Sequence, residues 1–308
     1  MPQMNVRQLE VFRAVMHYGG VNAAAKLLHV SQPAVSQSIS NLEATCGFKL
    51  FDRSQGGMIP TTEAEILIVE VDRVFGGVDR VKRIVEAVRD LRWGSVSIAA
   101  FPAMAARFLP AVVSRYCSDH PDVAIRIEGR RSRSLIDWVA AHQVDIGIGL
   151  LPAMEPGVAS RKLAAVPGVC VIPVNHTLAQ KRVIHAQDLA GEPFVSLGRE
   201  DRSRFGVDKL FDDLGIVRNI RIEAEQSETA CSFVACGAGV TVVDPFCIYK
   251  YDDREFVVRP FEPRVDFAVW LLTAADQEPH RLAGDLIEYL RSAILALAES
   301  GPSPRSAG

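Results

Sequence analysis

The chain has 308 residues, of which 48% are hydrophobic and 23% charged, with a formal net charge of −3. That length and balance suit about two domains of ordinary soluble composition and provide no global attraction to nucleic acid, so any DNA contact must be local. A polar, soon-helical start and the lack of an apolar run near the roughly 20 residues a bilayer needs argue against a secretory leader or a membrane span. The six cysteines show no CxxC or Cys/His spacing, so they are expected to be reduced thiols in a cytoplasmic protein rather than metal ligands.

In chain order, residues 5–18 predict a helix with Val6, Leu9, Phe12, Val15 and Met16 on one side. Residues 21–42 hold two further helical patterns, with Ala23, Ala24, Leu27 and Leu28 in the first. After a break at Val30-Ser31 come Pro33, Ala34, Val35, Ile39 and Leu42, opposite a polar face of Gln32, Ser36, Gln37, Ser38 and Asn41. Ser31 is the expected N-cap, Pro33 fits the first turn where its missing N–H costs nothing, and the helix should run to about Thr45. Two helices joined by a tight turn, the second with short polar side chains outward, is the arrangement that places a helix in the DNA major groove. The same packing also occurs in proteins that never meet DNA. Next, Phe48, Leu50 and Phe51 alternate ahead of a Gly56-Gly57 turn that ends at Pro60, which predicts a small hairpin, or wing. Lys49 and Arg53 would face the flanking phosphates.

The segments RQLEVFRAV, AAAKLLHVSQPAVSQSISNLE and GFKLFDR resemble the amino-terminal domain of the LysR-type transcriptional regulators, almost without gaps over residues 4–61. The resemblance implies DNA contacts from Gln32, Pro33, Ser36, Gln37 and Arg53, with Ala23, Ser31, Ala34 and Asn41 beside them. Two departures stand out: Gln37 replaces a frequent arginine, and Ser40 a frequent basic residue. The domain holds Arg7, Arg13, Lys26, Lys49 and Arg53 against Glu10, Glu43 and Asp52, a net of +2. Phosphate neutralisation drives affinity, so each domain alone should bind weakly and several should act together.

Thr62 is expected to open a linker helix over residues 62–92, with Glu65 as its capping-box partner. Ala64, Leu67, Val71, Val74, Val78, Val81, Val85 and Val88 follow at spacings of three and four, a heptad seam suited to pairing with a second copy. A helix folded back on its own domain is the alternative. Gly76-Gly77 marks a candidate bend. The resemblance implies that this helix dimerises the protein.

From residue 94 strands alternate with helices, which predicts a parallel α/β sheet. A first set spans 96–100, 103–117, 123–128, 134–141 and 145–150. A second, from about 166 to 258, includes 168–173, 193–197, 227–236 and 239–243. A strand at 265–272, a closing helix at 279–298 and a disordered tail over 300–308 complete the chain. The overall expectation is α/β: a winged helix-turn-helix, a linker helix, and an effector domain over 94–299. The resemblance implies that this domain is two-lobed, of the type 2 periplasmic-binding-protein fold, with lobe I about 94–165 and 266–299 and lobe II about 166–265.

Ligands in such sheets sit beyond the carboxyl ends of the strands, near helix N-termini. The candidate effector residues are therefore Ala100, Phe101 and Pro102, then Arg131, Ser132 and Arg133, then Gly149 in lobe I. In lobe II they are Ser196, the helix start Gln226, Ser227, Glu228 and Thr229, and Asp244. Ser227 and Thr229 could equally be helix caps, residues 129–134 a solvated basic loop, and Asp244-Pro245 a turn. Hydroxyls, an arginine and a carboxylate together suit an amino-acid-like effector. WVAAHQVDIGIGL, VVDPF and VVRPFEP resemble the branch of the family that answers to opines and lysine precursors, which implies an amino contact at Asp244.

No GxSxG, GxxxxGK[ST] or HExxH motif is present and the seven histidines are dispersed, so neither an enzyme nor a cofactor or metal site is expected. The expected function is a ligand-responsive bacterial regulator that binds double-stranded promoter DNA and a small-molecule effector. It would act as a homodimer or homotetramer, with RNA polymerase as partner if it activates. The alternative is a small-molecule sensor whose DNA binding has weakened or been lost.

Overall fold

The computed structural model describes residues 4–52, 58–89, 94–199, 201, 203–251 and 254–300. It divides into two compact units, Met1–Lys82 with Ala141–Gln143, and Arg83–Ala140 with Val144–Gly308.

In the first unit, α1 (Val6–Tyr18) starts at Asn5, whose side chain accepts the Gln8 amide while Gln8 accepts the Asn5 amide. This reciprocal cap satisfies two donors that a helix start leaves free. α2 (Val21–Leu27) and α3 (Gln32–Cys46) follow, and Ser31 accepts the Ala34 amide with Pro33 in the first turn of α3, as its sequence predicts. Gly19 and Gly47 end α1 and α3 at φ 76° and 81°, left-handed values that favour glycine. Phe12, Val15, Ala24, Ala25, Val35, Ile39 and Leu42 form the core. The packing face of α2 differs from the expected one: adjacent Ala24 and Ala25 are buried, while Leu27 is 46% exposed. β1 (Phe51–Asp52) and β2 (Ile59–Pro60) pair antiparallel. Arg53 and the Gly56-Gly57 turn lie outside the described residues.

α4 (Thr62–Arg89) is an uninterrupted helix through Gly76 and Gly77. Its cap is Thr61, not Thr62: the Thr61 hydroxyl accepts the Ala64 amide at 3.2 Å. Nor does the expected seam form a single stripe. Ala64 and Val71, joined by Phe75, are buried in this unit's own core, so the first half of the helix folds back on its domain. Val74, Val78, Val81 and Val85 are exposed, and the Val88 side chain lies outside the described residues.

In the second unit, β3 (Gly94–Ala100) leads through a π-helical turn (Met104–Phe108) into α5 (Leu109–Asp119). The Leu109 N–H reaches back five residues to the Met104 carbonyl. Pro110, which has no N–H and whose ring crowds the turn before it, accounts for the widening. β4 (Val123–Gly129), α6 (Ser132–Ala140), β5 (Ile146–Gly149) and β6 (Val158–Pro167) follow. The chain continues with β7 (Val169–Pro173), β8 (Ile184–His185), β9 (Pro193–Leu197), α7 (Arg204–Asp213) and β10 (Asn219–Ala224). Last come α8 (Ser227–Ala235), β11 (Thr241–Val243), β12 (Phe256–Glu262), β13 (Asp266–Ala274) and α9 (Arg281–Ser300).

The first lobe's sheet has the order β4-β3-β5-β13-β6, with β3 parallel to β4 and β5, and β13 antiparallel to β5 and β6. The second lobe holds β11-β7-β12-β8 and the parallel pair β10-β9, joined by a bridge between Phe194 and Val240. The sheets are therefore mixed rather than wholly parallel. β6 carries the chain towards the second lobe and β13 brings it back alongside, and two such neighbours must run antiparallel. The expected helix at 134–141 begins earlier, at Ser132, so Ser132 and Arg133 belong to its first turn rather than to a loop.

A reading edge and a two-lobed cleft

On α3, Val35, Ile39 and Leu42 are fully buried, while Gln32, Pro33, Ala34, Gln37 and Asn41 are exposed and Ser36 is half-buried. Ser31 is exposed at the cap and Ala23 half-buried on α2. The polar edge therefore faces outward as its sequence predicts. Gln37 Nε2 donates to Asn41 Oδ1 at 2.9 Å, which orients both amides before any ligand arrives. Sequence reasoning passed over the group that holds the wing. Glu43, 5% exposed on the inner side of α3, accepts the amides of Leu50 and Phe51 and is paired with Lys49 at 3.0 Å. Burial alone would raise its pKa, but Lys49 and the two amides outweigh burial and hold it below the usual carboxylate range. Lys49 is thus tied to Glu43 as well as facing solvent. α1 is fastened to α4 in a similar way: Asp72 accepts from Arg13 at 2.7 Å and lies 3.0 Å from His17.

In the second unit, the two lobes meet through aromatic rings. Phe101 and Phe108, before and within the π turn, both pack edge-on against Phe246, which follows β11. Phe108 also meets Tyr249. Strand ends in the first lobe are already satisfied: Phe101 N–H donates to Ile148, and Ala100 accepts the Arg130 amide. Pro102 is half-buried beside them, and Gly149 is buried at the end of β5. Arg130 lies over Trp138, 4.1 Å from the ring centroid, and pairs with Glu128. Arg131 reaches across to Glu225 of the second lobe as an ion pair at the surface.

In the second lobe, Ser196 is buried within β9 and Gln226 and Thr229 are exposed at the start of α8. Ser227 does not cap that helix. Its hydroxyl donates to Asp244 Oδ2 at 3.1 Å, while the Phe246 amide donates to Oδ1 at 3.0 Å. Asp244 is 1% exposed. Burial first, and the nearby Glu228 second, push its pKa up to about 7 against the pull of those two donors. The reading of Asp244-Pro245 as a turn is therefore part of the answer, since this carboxyl closes one. Cys231, on the same helix, faces Cys247 at 3.8 Å, and Cys236 is exposed. Among the described residues no cluster could hold a metal ion, and no helix is long and apolar enough to cross a membrane.

A helix-turn-helix with a polar outer edge and a wing, followed by a two-lobed α/β domain, defines a DNA-binding regulator controlled by a ligand. The profile of the bacterial regulatory helix-turn-helix proteins of the lysR family matches residues 6–65, and that of the LysR substrate binding domain matches residues 89–294. The regulatory protein NocR of Agrobacterium fabrum is 34% identical over 291 residues, which cover 94% of this chain and 97% of NocR. The transcriptional activator protein LysR of Escherichia coli is 33% identical, covering 97% and 96%. The octopine catabolism/uptake operon regulatory protein OccR of Rhizobium meliloti is 32% identical, covering 90% and 91%. The crystal structure of CbnR, a LysR family regulator, matches with a TM-score of 0.69 over 94% of this chain and 99% of its own, at 20% identity. The chain belongs to the LysR family of transcriptional regulators: it is a ligand-responsive regulator that binds DNA through its helix-turn-helix.

Proposed function

We propose that the protein acts in the cytoplasm as a homodimer or homotetramer and answers to a small amino-acid-like or opine-like effector. Each α3 edge, led by Gln32, Ser36 and Gln37, reads half of a partly palindromic promoter site. The exposed valines of α4 support self-association, because a narrow apolar stripe is stable in water only when covered. The effector lies between the lobes, among the strand and helix ends at Phe101, Pro102, Arg131, Ser227 and Asp244. The observation that carries this reading is the density of charged and hydroxyl groups around the lobe junction, beside the aromatic surface of Phe101 and Phe246. The relative OccR is named for octopine, an arginine conjugate with cationic and carboxylate groups, which suits such a lining.

A ligand changes the assembly only by binding one arrangement of the lobes better than another. When the protein activates transcription, RNA polymerase is the further partner. The test is an electrophoretic shift with the promoter region upstream of the chain's own gene, with and without octopine or L-arginine. A salt-sensitive complex whose mobility or footprint changes with one of them is the expected result. A complex indifferent to both removes the effector class, and no complex at micromolar protein removes the DNA reading.

A further inference from the structure

Two of the charged residues that the sequence singled out for an amino-acid effector are engaged within the protein: Arg131 by Glu225, and Asp244 by Ser227 and the Phe246 amide; the Arg133 side chain lies outside the described residues. Two others, Glu228 of the candidate helix start and Arg107, which the sequence did not single out, are not so engaged. Both carboxylate oxygens of Glu228, in the first turn of α8, are shut off from solvent and have no hydrogen-bond partner from another described residue. A buried carboxylate without partners is costly, and in a folded protein such a group calls for an explanation. Glu228 interacts electrostatically with Arg107 across the lobe junction, and with Asp244, while Asp201 bears on both acids. Asp201 is itself satisfied by the Ser203 amide and hydroxyl. Arg107, on the π turn of the first lobe, is half-buried and forms no salt bridge among the described residues. A carboxylate on one lobe and a guanidinium on the other thus stand near enough to feel each other without pairing.

We propose that Glu228 is the cation-recognising residue of the effector cleft and Arg107 its anionic counterpart's anchor. The effector would then present a positively charged nitrogen to the second lobe and an acidic group to the first. This rests on the amino-acid-like effector proposed above and assigns its charges. Each end of such a ligand would supply the partner that one lobe lacks, and binding would add a link between lobes already joined by the aromatic contacts and the Arg131–Glu225 ion pair. The α8 start contributes amides that favour negative charge, so the carboxylate can persist there until a cation arrives. Burial raises the Glu228 pKa, with its own amide and Arg107 opposing.

The test titrates full-length wild type and Glu228→Gln with three probes. These are L-arginine; L-citrulline, in which a neutral urea replaces the guanidinium; and 2-hydroxy-5-guanidinovalerate, in which a hydroxyl replaces the α-ammonium. Wild type should bind L-arginine at least about tenfold more tightly than one of the two analogues, and Glu228→Gln should bring that ratio to within about twofold. Equal binding of all three by wild type, or a preference that survives the substitution, overturns the cation assignment and leaves the amino-acid effector standing. Failure of all three to bind overturns both. A ligand-independent readout comes from melting the empty protein at about pH 8. There Glu228→Gln should raise the melting temperature by a few degrees, because a neutral amide replaces an orphaned carboxylate. A lower melting temperature counts against the proposal.

Discussion

Glu43 Oε1 accepts the backbone amide of Leu50 at 2.9 Å, and through that bond the reading helix holds the wing. Removing the carboxylate leaves the Leu50 and Phe51 amides buried without acceptors. Glu43→Ala should therefore cost about 2–3 kcal/mol. The expected signature is faster hydrogen exchange at Leu50 and Phe51 with the α1–α3 core amides less affected; uniform exchange rates across the unit would contradict this role. The sign with pH follows from the lowered pKa. Glu43 stabilises the fold above the ordinary carboxyl range, and this contribution fades as pH falls through its depressed value.

Ser36→Ala and Gln37→Ala should each weaken binding to the cognate site by about 1–3 kcal/mol where a base contact is lost. Binding to unrelated DNA should barely change, because neither side chain carries charge. Competition gel shifts at one fixed salt concentration measure both. Unchanged discrimination between cognate and unrelated DNA would move base reading away from this edge of α3. Gln37→Ala also frees Asn41, which Gln37 now orients, so the double change with Asn41→Ala should cost less than the two singles added.

Asp244 carries a pH dependence of the opposite sign to that of Glu43. Its folded pKa is raised to about 7, while an unfolded aspartate titrates near 4. The folded chain then keeps a proton that the unfolded chain loses between these values. Stability falls as pH rises from about 4 to about 7, by on the order of 4 kcal/mol, and levels off above. In Asp244→Asn this slope should flatten. Urea titrations across that range check it, and an unaltered slope would place the titrating group elsewhere.

Val78, Val81 and Val85 are exposed at spacings of three and four on α4. Val81→Glu should dissociate the assembly into lighter species in sedimentation velocity, with little change in the monomer's helix content. An unchanged sedimentation coefficient would mean that association runs through other surfaces.

The α3 edge was legible in the sequence because everything that shapes it is local: a cap at Ser31, a proline at the first turn, and buried Val35, Ile39 and Leu42 at helical spacing. The Glu43 bond was not, since its partners lie seven and eight residues on, beyond a turn whose path sequence does not dictate. β6 and β12 escaped notice for a related reason. Ser160, Arg161 and Lys162 interrupt the apolar pattern of β6. Arg259 of β12 looks solvated but donates to the carbonyls of Lys181 and Ala179. In the effector domain, Arg131 and Asp244 lie at element ends, as expected, yet their engagement by Glu225 and Ser227 depends on how distant segments meet. Glu228 is legible in sequence only as one member of a candidate helix start, where an acidic residue is ordinary. Only the burial of its two oxygens between elements distinguishes it.

β6 and β13 run side by side from Asp266 against Pro167 to Ala274 against Val158. One lobe is therefore an interruption of the other, entered and left through a single doorway two backbones wide. Any rotation between the lobes must twist the two segments at that doorway, where the Gly168 amide donates to the Val265 carbonyl. The only covalent route from one lobe to the other among the described residues is thus this pair of adjacent backbones.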